Sequence, residues 1–198
     1  MPHSNRKTAP AVRNGQVQKK NRHDPTPSYW NSRSKELVFD RERPGQGYRY
    51  LLTTQEVIDF VLLLPQWERL SQGLDAILLA RGGGADGWYM DGVIGVCAWK
   101  RPIEVDWHIS YFEDHHSVLQ RLDVPATVRG DVVTCGFTEK TAKAFQLLHV
   151  LMHELGHHWD RMNTRSKRGT ARGEGFAESY ALEHEPLIWD RYSRAFKL

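Results

Sequence analysis

Ala142, Phe145, Leu148, Met152, Leu155 and Trp159 recur at spacings of three and four, so the chain from about Thr138 to Met162 reads as one long helix with an apolar stripe. Thr138-Glu139-Lys140-Thr141 resembles its N-terminal cap. A stripe of this kind must be covered by a sheet or by further helices. Val150-Leu151-Met152 and Leu155 are apolar as well, which makes this a core helix with one face left for polar residues.

Several strand candidates precede it. Leu74 to Ala80 is a short apolar run, and Trp88 to Trp99 is interrupted by Asp91-Gly92, a hairpin-turn pair. Between them, Gly82-Gly83-Gly84 lacks the Gly-Lys-Ser/Thr of a phosphate loop and reads as a turn. From Pro102 to Ser110, Ile103, Val105, Trp107 and Ile109 alternate with Glu104, Asp106 and His108, the signature of a half-buried strand. Tyr111 to Leu122 reads as a helix and Val128 to Cys135 as a strand. Upstream, Thr53 with Glu56 forms a cap signal for a helix that Pro65 ends. Residues 29–50, with Pro44-Gly45-Gln46-Gly47, read as irregular structure. Downstream, residues 166–173 form a basic loop, a helix spans about Glu174 to His184, and Pro186 opens a last one through about Phe196. The fold class is α+β, with a twisted, mostly antiparallel sheet on the long helix and further C-terminal helices.

The chain of 198 residues suits one domain, residues 29–198, behind a leader, residues 1–28. Arg6, Lys7, Arg13, Lys19, Lys20 and Arg22 lie in residues 1–23 without any acid, a composition that favours a disordered tail with at most weak contact to a polyanion. No apolar run is long enough to cross a bilayer, and no secretory segment is visible. Cys97 and Cys135 lack metal or redox spacing and read as buried packing residues. A cytoplasmic protein without membrane contact is expected.

The polar face of the long helix carries His153-Glu154-Leu155-Gly156-His157. Residues four apart on a helix share a face, so His153 and His157 can converge on one cation, and imidazole is a good zinc ligand. Glu154 is offset by about 100°, within reach of a water on that ion but not of the ion itself. There it can serve as general base and then as acid. A catalytic zinc takes a third protein ligand. Glu174 and Glu178 begin the next helix, again four apart; one can complete the ligand set while the other hydrogen-bonds a ligand histidine from behind. Asp160, three residues after His157, is a rival third ligand and a better acceptor for His157. Gly156 keeps the helix slim beside the ion. His149, one turn before His153, reads as a packed histidine, with support of a ligand from behind as the alternative, and His115, His116 and His158 read as surface residues.

His153-Glu154-Leu155-Gly156-His157 followed by Glu174-Gly175-Phe176-Ala177-Glu178 resembles the gluzincin metallopeptidases, and is similar to the pattern in the catalytic domain of anthrax lethal factor. The resemblance spans about residues 138–184. It implies a zincin-like fold, Zn2+ as cofactor, Glu174 as third ligand, Glu178 as supporting acceptor, and an edge strand that binds extended peptide. The strands expected at Pro102–Ser110 and Val128–Cys135 are the candidates for that edge. The tyrosine that stabilises the oxyanion in several such enzymes is missing from the loop between the motifs; Tyr180, His184 and Arg172 are the candidate substitutes. The expected activity is hydrolysis of a peptide or protein substrate. The rival reading is a binding or regulatory module in which zinc is only a staple, with the leader touching nucleic acid.

Overall fold

The computed structural model describes residues 12–13, 16–17, 29, 36–164 and 172–198. The chain divides into two compact units, Met1–Arg33 and Ser34–Leu198. In the first, strands β1 (Val12–Arg13) and β2 (Gln16–Val17) pair antiparallel. The rest of the expected leader, and most of the expected basic loop, lie outside the described residues.

The second unit begins with β3 (Val38–Arg41) and β4 (Tyr48–Arg49), then α1 (Thr54–Val61) and α2 (Trp67–Leu70). Strands β5 (Ala76–Ala80), β6 (Gly87–Met90), β7 (Val93–Cys97), β8 (Trp99–Lys100) and β9 (Glu104–His108) follow. Helices α3 (Ile109–Asp114) and α4 (His116–Arg121) lead to β10 (Ala126–Arg129) and β11 (Val132–Gly136). Helix α5 (Glu139–Phe145), a π segment (Gln146–Leu151) and α6 (Met152–Asn163) then run on from one another, and α7 (Gly173–Phe196) closes the chain. Among the described residues, no helix is long and apolar enough to cross a membrane.

The mixture of helices and open sheets agrees with an α+β class, but the main sheet is not mostly antiparallel. Its order is β3-β5-β7-β6, with β3–β5 and β5–β7 parallel and only β6 antiparallel, at the edge. Every residue of β5 and β7 is buried. Strands covered on both faces become continuous apolar runs, which parallel pairing suits. Strand β3 lies in the stretch expected to be irregular. It has four residues, two of them exposed, so no alternation marks it. A second, antiparallel sheet has the order β10-β11-β9. The single strand expected at Val128–Cys135 is thus two, because Gly130, at φ +65°, turns the chain back on itself.

Three helix boundaries also differ. The helix expected over Tyr111–Leu122 breaks at His115, whose φ of −102° and ψ of 5° are not helical. The long helix is continuous, but Gln146–Leu151 is wound as π. Finally, α7 runs through Pro186 where two helices were expected. The lost backbone bond at Pro186 is outweighed by packing of a helix whose Glu185, Ile188 and Tyr192 are buried. Tyr192 meets Phe60 of α1 edge to face, with ring centroids 6.0 Å apart.

The capping box is present: Thr53 Oγ1 accepts from the Glu56 amide, and Glu56 Oε2 accepts from the Thr53 amide. Glu56 Oε1 also accepts from Lys143 Nζ at 2.6 Å, which ties α1 to α5. Thr53→Ala is expected to cost about 1 kcal/mol of stability in denaturant titration.

The β6–β7 hairpin turns on Asp91 and Gly92, both at positive φ, and a buried polar network anchors it to α6. Tyr89 Oη accepts from Gly92 N and Arg161 Nη1 and lies 3.2 Å from His158 Nδ1. His158 Nε2 faces the Gln72 carbonyl at 3.0 Å. Neutral His158 therefore donates from Nε2 and accepts from Tyr89 at Nδ1. Burial pushes its pKa down to about 4. The unfolded chain binds the proton more readily, so stability present at neutral pH is lost as pH falls from about 6.5 towards 4, by up to roughly 3 kcal/mol. Urea unfolding at pH 7 and at pH 4.5 checks this. His158→Gln is expected to flatten the dependence, and an unchanged dependence would contradict the assignment.

Candidate metal centre

Helix α6 presents three different faces. His153 and His157 lie one turn apart, edge to face, with ring centroids 4.8 Å apart. Glu154 points towards β6, where a Cβ on Gly87 would sit only 2.7 Å from Glu154 Oε1. Gly156 faces α7: a Cβ there would lie 2.9 Å from Ala177 Cα and 3.1 Å from Ala177 O. Gly156 thus keeps α6 slim against the neighbouring helix rather than beside the ion.

This close approach delivers Glu174 from the first turn of α7. Glu174 Oε2 lies 3.1 Å from His153 Nε2 and 3.3 Å from His157 Nε2. Ligands at ~2.0–2.1 Å from a tetrahedral zinc ion are ~3.3 Å from one another, so these are the edges such an ion requires. The three ligand atoms all lie within 4.8 Å of one another. The donor set, two imidazoles and a carboxylate, suits zinc. His153 and His157 are largely buried whereas the Glu174 side chain is 83% exposed, which leaves the cluster open to solvent on that side.

Glu178, one turn further along α7, stands behind the pair. Its Oε2 lies 3.2 Å from His153 Nδ1 and 3.4 Å from His149 Nε2. Burial disfavours its charge, but hydrogen bonds from His149 and His153 outweigh that and hold the carboxyl well below the usual range. A carboxylate bonded to Nδ1 directs the lone pair of His153 to Nε2, the nitrogen that faces Glu174.

Asp160 takes a different place from the one expected. His157 Nδ1 is buried with no hydrogen-bond partner, while the fully buried Asp160 accepts from Arg172 N at 2.7 Å and Arg172 Nε at 2.6 Å. It clamps the residue that starts α7 and so positions Glu174 from a distance. The candidate oxyanion residues Arg172, Tyr180 and His184 line a separate groove with Leu64, Trp159 and Phe176. That groove contains none of the clustered ligands. His149 (2% exposed), His115 (7%) and His158 (1%) are buried, so two of the three expected surface histidines are interior; His116 is exposed.

The electrostatics separate the roles. Burial raises the Glu154 carboxyl to about 7, and its Oε2 has no hydrogen-bond partner. Burial and the neighbouring His153 lower the pKa of His157, which favours the neutral, ligating imidazole. In His153 burial acts the same way, but the hydrogen bond to Glu178 and the surrounding carboxylates outweigh it and raise the pKa. Beyond Gly87, a cleft of about 270 Å³ is lined by Asp86, Cys97, Trp99, Trp107 and Tyr111, among others. Tyr111 Oη donates to Asp86 Oδ2 at 2.7 Å. No spacing in the sequence singles out Tyr111, which lines the cleft from the first turn of α3, directly after β9. Comparison with known protein families, curated proteins and solved structures gives no match.

Proposed function

We propose that the protein is a zinc-dependent peptidase with a zincin-like, gluzincin-type domain, acting on peptide or protein substrates in the cytoplasm. The observation that carries this reading is the convergence of His153, His157 and Glu174 at ligand-edge distances, with the buried Glu154 beside them. His153, His157 and Glu174 would hold the ion. Zinc, when bound, supplies Lewis acidity.

The chain's own residues do the rest. Glu154, with its pKa raised to about 7, can take the proton of the attacking water near neutral pH and pass it to the departing amine. Glu178 fixes the His153 ring. The strand beside α6 is β6, the antiparallel edge of the main sheet, whereas the strands expected for that place, Pro102–Ser110 and Val128–Cys135, belong to the other sheet. An extended peptide added to the free side of β6 would pass Gly87 and Glu154.

Glu178→Gln is expected to weaken zinc binding about 10–100-fold, read by competition with a chelating dye. The proposal itself is tested by incubating purified protein with unfolded protein and a broad peptide library. Cleavage is expected, abolished by 1,10-phenanthroline and restored by zinc. Zinc-loaded protein that cleaves nothing would overturn the peptidase reading and support a zinc-stapled binding module.

A further inference from the structure

A second group of ligand side chains lies behind the first. His115 sits where α3 meets α4, His149 lies in the π segment, and Glu178 lies in α7. Each offers one ligand atom within 4.8 Å of the others. The imidazole rings of His115 and His149 are 4.4 Å apart, and both residues are buried. We infer that His115, His149 and Glu178 form a second site for a divalent transition-metal ion of the zinc class, distinct from the His153–His157–Glu174 site.

The side chains are prepared for ligation. His115 Nδ1 lies 2.7 Å from the Tyr111 carbonyl, so Nδ1 carries the proton and the lone pair is on Nε2. Histidine ligands are held in this way by a backbone acceptor at the other nitrogen. His149 Nε2 and Glu178 Oε2 are 3.4 Å apart, close to the ~3.3 Å edge of a tetrahedral zinc site. Glu178 Oε2 also faces His153, but Oε1 is buried without a hydrogen-bond partner. A buried carboxylate oxygen left unmatched is costly, and a cation held by the Glu178 carboxylate beside the two imidazoles would reduce that cost. The π winding around His149 is a local feature often kept at functional sites. Because the histidines are shut off from solvent, the ion's role is to pin the α3–α4 junction and the π segment to α7, not to meet substrate.

Native mass spectrometry of metal-free protein titrated with Zn2+ tests the site. Wild type is expected to bind about two ions per chain. His115→Asn should lose one of them and keep the ion that His157→Asn loses. A wild type that binds one ion, abolished by His157→Asn and untouched by His115→Asn, would overturn this inference and leave the peptidase proposal standing. Binding of no ion would overturn both. If His115→Asn fails to fold, 15N spectra of the wild-type imidazoles decide. The Nε2 resonances of His115 and His149 should shift as the second ion is added, and a second ion that leaves them unmoved refutes the site.

Discussion

Glu154→Gln is expected to retain zinc and to lose hydrolysis by about a hundredfold to ten-thousandfold, the usual contribution of a positioned general base. The substitution preserves shape in a side chain that is only 5% exposed, and it leaves His153, His157 and Glu174 untouched. What it removes is the proton acceptor, whose pKa burial raises to about 7. An amide cannot take a proton from water. Turnover of a cleaved peptide, measured beside the zinc content of the same sample, gives the result. Equal activity would contradict the role of Glu154. Loss of zinc along with activity would show that Glu154 holds the site together instead of acting on a water.

Gly156→Val is expected to damage the site from outside it. Even a Cβ at residue 156 meets backbone atoms of Ala177 and the Cβ of Tyr180, at 2.9 to 3.1 Å, and backbone cannot swing aside as a side-chain tip can. Helix α7 must therefore shift, and Glu174 and Glu178 on that helix shift with it. Overpacking of this kind costs about 1–3 kcal/mol of stability, and displacing a ligand should weaken zinc binding on the order of a hundredfold. Gly175→Ala is the control, since a Cβ there meets nothing within 4 Å. Denaturant titration and zinc competition on both variants check the prediction, and a Gly156→Val protein with unchanged zinc affinity would contradict it.

The reasons some features were legible in the sequence are local. The α6 stripe, the Thr53 capping box and the Asp91-Gly92 turn each depend on residues within one or two turns of chain, so spacing alone revealed them. So did the pairing of His153 with His157 and of Glu174 with Glu178, because helical residues four apart share a face. The features that escaped depend on tertiary partners. Asp160 stands near enough to His157 in sequence to suggest a bond, but the start of α7 offers the buried Asp160 carboxylate the Arg172 backbone and guanidinium instead. His115 and His158 have no histidine or cysteine at ligand spacing along the chain, and the packing of α3, α6 and the β6–β7 hairpin buries them. Strand β3 is stabilised by its parallel partner β5 more than by any pattern of its own. Pro186 suggested a helix start, yet contacts on both sides of it carry α7 through.

The most direct test is an anomalous difference map, at the zinc absorption edge, from a crystal grown with zinc. The account predicts a strong peak about 2.0–2.2 Å from His153 Nε2, His157 Nε2 and a carboxylate oxygen of Glu174, with Glu154 near but not bonded. Density between these side chains that lacks such a peak, or imidazoles turned away from Glu174, would contradict it.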